Sequence, residues 1–349
     1  MRLKYIDILK GLAIFFVVFG HTINPASYMA KVVFSFHMPI FFIIAGYLFN
    51  FEKYKSSFNN FFKGKVVRLI LPYFMSVILF LLFYLVYQSP KPFIDTPSSA
   101  ILNIFKSDII GALYGVGTVN SFNIVPVGPL WFVVCLFCAE VVFYFLLKFT
   151  RNWNIFLQYI LYFVLSYLGI IVGQKIFLPW SFDVSLVAIF FVFIGFEMKR
   201  KNFIEKFSNN KFTNYYLFLL LVVWFILMNN SFISMNERTY NNFVYAYIAA
   251  ISVSVLLFTL CYKIQNLKYL TFVNKMVSYI GSETMIILLM HNRVISNTPE
   301  WSCLRYNDFC FAIYLMLFSL MIGLVIKQIP ILNRIYYPNI NKNISKDEK

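Results

Sequence analysis

Apolar runs of about 17–25 residues, separated by polar or charged stretches, recur along the whole chain, and each is long enough to cross a bilayer as a helix. They fall at 6–23, 32–50, 67–87, 127–148, 156–174, 181–198, 214–230, 242–262, 276–292 and 309–328. The pattern predicts an all-α polytopic membrane protein with about ten transmembrane helices, an even number that puts both termini on one side. The first run lacks a small-residue cleavage site and is followed by many others, so it reads as a retained span rather than a signal peptide. Residues 88–126 are expected to form a long outer loop. Within it, "SAILNIFKSDIIGALYGVG" is too short an apolar stretch to cross and could lie flat at the interface. The membrane domain is expected over 1–335, with a polar tail at 336–349 ending "NKNISKDEK".

Composition agrees. Of 349 residues, 60% are hydrophobic and 13% charged, against about 25% charged in soluble domains. The mean hydropathy is +0.74. A net charge of +16 could suggest nucleic acid, but its distribution excludes that reading. With the N-terminus in the cytoplasm, 23 of the 30 basic residues fall on inner segments and seven outside. That asymmetry is the positive-inside bias. It predicts cytoplasmic N- and C-termini and a basic inner face suited to anionic lipid or an anionic cytoplasmic ligand. Cys135 and Cys138 lie in an apolar run with no companion ligands, so no metal site is expected. Cys303 and Cys310 share a short loop and could form a disulfide if it faces an oxidising compartment.

Against this background the ionisable residues inside spans stand out, because each costs about 2.5–3.5 kcal/mol on insertion. In "LKGLAIFFVVFGH" the eleven-residue step from Lys10 to His21 turns about 1100°, three turns plus about 20°, so both face one way, about 16 Å apart. Asp7 precedes Lys10 by three residues and can touch it. Taken singly, such a lysine could snorkel to the headgroups and such a histidine could be wet. Shared position on one stripe argues for a common task.

Four further places carry candidate chemistry. In "FSFHMPIFFIIAGYLF", His37 precedes Pro39, which removes a backbone donor and predicts a kink. Lys65 and Arg68 enter the third run three residues apart. They are ordinary positive-inside anchors or, acting together, a phosphate site, since Arg binds phosphate bidentately and Lys adds a point charge. Trp131 in "GPLWF" is a weaker candidate, with Glu140, Glu283 in "GSETM", and His291 and Arg293 in "HNR". Glu140 and Glu283 lie within spans and need partners, whether structural or catalytic. Gly111, Gly115 and Gly117 do not make a phosphate loop, having neither the following Lys-Ser/Thr nor a preceding strand.

In order, "YIDILKGLAIFFVVFGH", "FHMPIFFIIAGYLF", "KVVRLILPYF", "PLWFVVCLF" and a late "LLMHNRVI" resemble acyltransferase family 3, the integral-membrane acyltransferases that modify surface polysaccharides. The "FHMPIFF" form looks most like the fucose 4-O-acetylase-like branch. The family pattern of a basic residue, ten residues and His matches Lys10 and His21, with Lys where Arg is commoner. Its basic-x-x-Arg pair matches Lys65 and Arg68, and its upstream Asp matches Asp7. The resemblance implies His21, Lys10 and Asp7 as catalytic residues and Lys65 and Arg68 as acyl-CoA-binding residues. His37, Trp131, Glu140, Glu283, His291 and Arg293 would support the site or face the acceptor.

It implies O-acyl transfer, most simply of acetyl, from cytoplasmic acyl-CoA to a sugar hydroxyl of a surface polysaccharide or its precursor. The protein would sit in the plasma (inner) membrane. Acyl-CoA would be a donor substrate, with no bound cofactor and no metal. The other partners would be the carbohydrate acceptor and membrane lipids. Two readings from other classes are a transporter or flippase of a glycan precursor, since buried charges and broken helices suit transporters too, and a non-catalytic scaffold.

Overall fold

The computed structural model describes residues 3–87, 98–120, 122–297 and 303–338. The architecture is all-α and polytopic. Among the described residues, seven helical stretches are long and apolar enough to cross a membrane: Tyr28–Leu48, Phe58–Phe83, Gly128–Thr150, Ile155–Gly173, Pro179–Arg200, Phe243–Ile264 and Asp308–Gln328. The three remaining expected runs are helical but shorter. The helices α1 (Lys4–Gly20) and α10 (Thr213–Asn229) have 17 residues each. The run expected at 276–292 is two helices end to end, α12 (Thr271–Ser282) and α13 (Thr284–Asn297), with Glu283 at the joint.

Two other runs are interrupted where backbone donors are lost. The second divides into α2 (Tyr28–Phe34) and α3 (Pro39–Leu48). Pro39 stands in the first turn of α3, where its missing N–H costs no hydrogen bond. The third begins earlier than the apolar pattern suggests. Helix α4 (Phe58–Lys65) runs through a π-helical turn at Val66–Ile70 into α5 (Leu71–Tyr87). Pro72 cannot donate to the carbonyl of Arg68, and the Leu71 N–H reaches back five residues to Val66. Lys65 and Arg68 therefore flank the opening of a π-turn inside a continuous helix, rather than sitting at a span's first turn.

The expected outer loop holds helix α6 (Ser98–Tyr114). The remaining long helices are α7 (Trp131–Thr150), α8 (Ile155–Gly173), α9 (Phe182–Arg200), α11 (Phe243–Ile264) and α14 (Asp308–Gln328), followed by the short α15 (Pro330–Tyr336). A two-stranded antiparallel hairpin, β1 (Phe232–Ser234) with β2 (Thr239–Asn241), joins α10 to α11 and pairs Ile233 with Tyr240. Nothing in the sequence pattern announced it; three-residue strands are too short for an alternation to register.

Small residues set two close helix crossings, as expected where backbone packing rather than hydrophobicity drives association. On α1 and α12, a Cβ at Gly11 would collide with the Val277 carbonyl, and one at Gly281 with that of Asp7. On α3 and α9 the arrangement repeats: Gly46 lies against Val192 and Gly195 against Ile43.

At the end of the bundle remote from the start of α1, the hairpin folds onto the corner before α9. Arg238 and Asp183 form an ion pair at 2.9 Å, with side chains 1% and 0% exposed. The guanidinium also donates to the Asn236 carbonyl at 2.6 Å and Ser181 Oγ at 3.3 Å, and lies over the Phe177 ring. Asp183 accepts the Leu178 N–H at 3.1 Å. Three residues here, Trp180, Ser181 and Arg238, hold left-handed backbone angles of 57°, 50° and 54°. The network over-determines that strained corner. Replacing Asp183 by Ala leaves a buried guanidinium without its carboxylate, a loss of about 3–5 kcal/mol. The variant should unfold at a clearly lower temperature in detergent; an unchanged melting curve would refute this role.

Candidate active site

A cavity of about 370 Å³ opens between α1, α3, the π-turn, α7 and the α12–α13 joint. Lys10, Lys65, Arg68 and Glu140 line it together, so four of the charged residues singled out in the sequence share one space. Lys65 is ion-paired with Glu140. Arg68 is exposed and has no carboxylate partner among the described residues. Arg68 is thus placed to meet an anion without giving up a carboxylate. Each cation has a local cause. Lys10 projects from α1, Lys65 and Arg68 from either side of the opening of the π-turn, a deformation that recurs at functional sites.

The rest of the lining is largely apolar, including Met38, Phe41, Phe132 and Leu288. On α1 the lining residues are Lys10, Ile14 and Val17, spaced as one helical stripe, and His21 is the next position of that stripe. His291 follows the lining residue Leu288 by three positions on α13, and His37 is the neighbour of the lining residue Met38. All three histidines of the chain thus stand next to, or one turn beyond, residues that line the cavity.

Two of the histidines are neighbours. The rings of His21 and His291 lie 5.2 Å apart, centroid to centroid, tilted by 42°. The His37 ring packs edge-on against that of Phe34, 4.8 Å away, at the turn before α3. His21 is accessible, whereas His37 and His291 are buried, His291 completely. Nδ1 of His291 is 2.8 Å from the Ile287 carbonyl, and Nδ1 of His37 is 3.1 Å from that of Val33. A carbonyl only accepts, so in both rings Nδ1 donates and Nε2 keeps its lone pair. Nε2 of His291 is buried with no hydrogen-bond partner among the described residues. Among those residues, no three His, Cys, Asp or Glu side chains are grouped as metal ligands.

The chain's similarity to known proteins fits a site of this kind. The acyltransferase domain that defines acyltransferase family 3 matches residues 3–331. The chain belongs to this acyltransferase family. No curated protein and no solved structure matches it. As a member of this family the protein is a membrane acyltransferase, and this cavity, with the histidines that adjoin its lining in sequence, is its candidate active site.

The remaining sequence candidates fall into place around that cavity. Asp7 is buried on α1, one turn before Lys10. Glu283 is held by Lys327 at 2.6 Å and by the Tyr337 hydroxyl, which ties the α12–α13 joint to α14. Its neighbours Ser282 and Thr284 line the cavity, but the Glu283 carboxylate itself is engaged elsewhere. Trp131 is buried beneath the loop at Gly117, while the adjacent Phe132 supplies the cavity wall. Arg293 belongs to α13, with its side chain outside the described residues. Cys303 likewise has its side chain outside them, so its expected relation to Cys310 lies there too. Sequence reasoning missed the apolar walls and the Asp183–Arg238 network. An apolar residue facing a cavity has no signature that separates it from one facing lipid, and nothing in sequence spacing joins Arg238 to Asp183, 55 residues away.

Proposed function

We propose that this acyltransferase moves an acyl group, most simply acetyl, from cytoplasmic acyl-CoA to a sugar hydroxyl of a cell-surface polysaccharide or its precursor, at the plasma membrane. The observation that carries the reading is one largely apolar cavity that gathers Lys10, Lys65 and Arg68 and is lined along α1 by the stripe whose next position is His21. Phosphates of a coenzyme A thioester suit the basic mouth, and its pantetheine arm suits the apolar passage. The carbohydrate acceptor is inferred from the resemblance to family members that modify surface polysaccharides, and "FHMPIFF" favours the fucose 4-O-acetylase-like branch.

In the proposed reaction the sugar oxygen attacks the thioester carbonyl while the His21 imidazole takes its proton. The carbon–sulfur bond then breaks and the thiolate leaves, receiving that proton from His21. An ester and free coenzyme A result, and the imidazole is restored. The lone pair on Nε2 of His291 can accept the other N–H of His21 and orient the ring, the base-and-orienter arrangement common to transferases.

Purified protein given acetyl-CoA labelled in the acetyl group and a glycan acceptor should yield labelled glycan. NMR of surface glycan from cells with and without the protein should show the ester and its position. Absence of label from both would refute the reading. Replacing Lys65 and Arg68 together by Ala removes two phosphate contacts. It should raise KM for acetyl-CoA about a hundredfold with a smaller change in kcat. An unchanged KM would return both residues to topological anchors.

A further inference from the structure

A second and larger cavity, about 840 Å³, opens at the end of the bundle where α1 begins. It lies among the ends of α3, α7 and α9 and the loop after α3. Its charged lining is Lys55, Arg151, Lys199 and Arg200 against the single carboxylate of Glu52. Two of these cations are already balanced: Lys55 is 3.7 Å from Glu52, and Arg200 is 2.7 Å from Glu197. The other two are not. Arg151 lies over the Phe51 ring and Lys199 over the Tyr47 ring, and neither has a carboxylate partner among the described residues. Both rings belong to buried residues, so the cations rest on aromatic supports at the cavity wall. Leu48, the last residue of α3, lines this cavity and the candidate active site alike.

We infer that this second cavity holds the 3′-phosphorylated adenosine end of the thioester donor, the chain crossing Leu48 so that the diphosphate meets Lys65 and Arg68 and the pantetheine arm enters the active-site cavity. The inference rests on the acyl-CoA reading. Beyond its basic mouth the active-site cavity is largely apolar, suited to an arm and a thioester. A 3′-phosphorylated adenosine needs more room and further positive charge, and the adjoining cavity has both. Of the cations lining this second cavity, Arg151 and Lys199 are placed to bind phosphate without first giving up a carboxylate. A headgroup phosphate of an anionic lipid shares this chemistry, and the test separates the two sources.

The full-length protein in nanodiscs is assayed with acetyl-CoA and with S-acetylpantetheine, which lacks the nucleotide. In an Arg151→Gln, Lys199→Gln double variant, KM for acetyl-CoA should rise about a hundredfold, the scale of two lost charge-assisted contacts. KM for S-acetylpantetheine should stay within about twofold, because the truncated donor never used those contacts. Adenosine 3′,5′-bisphosphate should compete with acetyl-CoA in the wild type and lose its potency in the variant.

An unchanged KM for acetyl-CoA in the variant overturns the assignment while leaving the acyl-CoA reading intact. So does an activity change that appears only in nanodiscs containing anionic lipid, since that marks a headgroup site. A wild type that uses neither acetyl donor overturns both. Should the double variant not fold, the single Lys199→Gln variant and wild-type inhibition by the bisphosphate decide the matter on the same criteria.

Discussion

His21→Ala should yield a protein that inserts and folds as the wild type does and transfers acyl groups at least about a hundredfold more slowly, the usual contribution of a positioned general base. The expectation of intact folding has a structural basis. His21 follows the last residue of α1, is accessible, and accepts no burden in the helix crossings. Donor binding should survive, because the basic residues lie at the other end of the cavity. The readout is therefore specific: kcat falls while KM for the donor holds. Normal turnover by the variant would remove His21 from the mechanism and with it the proposed reaction. His291→Ala should act on the same step more weakly, since its buried ring would orient His21 rather than move the substrate's proton.

Gly281→Val should damage the fold severely. Its first added carbon would meet the Asp7 backbone, which a side-chain rotation cannot relieve, and the reciprocal contact at Gly11 holds the same crossing. Overpacking usually costs about 1–3 kcal/mol; here the obstacle is backbone on a rigid helix, so the upper end or beyond is expected. Because α1 carries both Lys10 and the stripe leading to His21, separation from α12 would also misalign the site. The variant should show a lower melting temperature in detergent and a loss of activity exceeding its loss of folded protein. Wild-type stability would show that the two helices can part without cost.

The helices were readable in the apolar pattern because a bilayer demands long uninterrupted runs, and the residues that violate those runs led to the site. Lys10 and His21 could be placed on one stripe by helical geometry alone. Lys65 and Arg68 could be paired by spacing. What spacing could not do was join segments. His291 sits on α13, so its approach to His21 depends on how two elements pack. The breaks were only partly foreseen. Pro39 marked one by its missing donor, whereas the joint at Glu283 depends on Lys327 and Tyr337 reaching it from later in the chain. The hairpin escaped because its strands are held by a buried ion pair rather than by their own pattern.

The π-turn at Val66–Ile70 has a bearing on how this helix tolerates change. It holds one residue more than an α-helix would use over the same rise, and that residue turns everything beyond it by about 100° relative to what precedes it. The polar face of α4 and the apolar face of α5 therefore belong to two different angular frames, each free to drift in composition without dragging the other out of alignment. A single-residue deletion within Val66–Ile70 would merge the frames, rotating Lys65 and everything before it against the membrane half. An insertion or deletion, rather than a substitution, is thus the smallest genetic step that re-aims this cation pair.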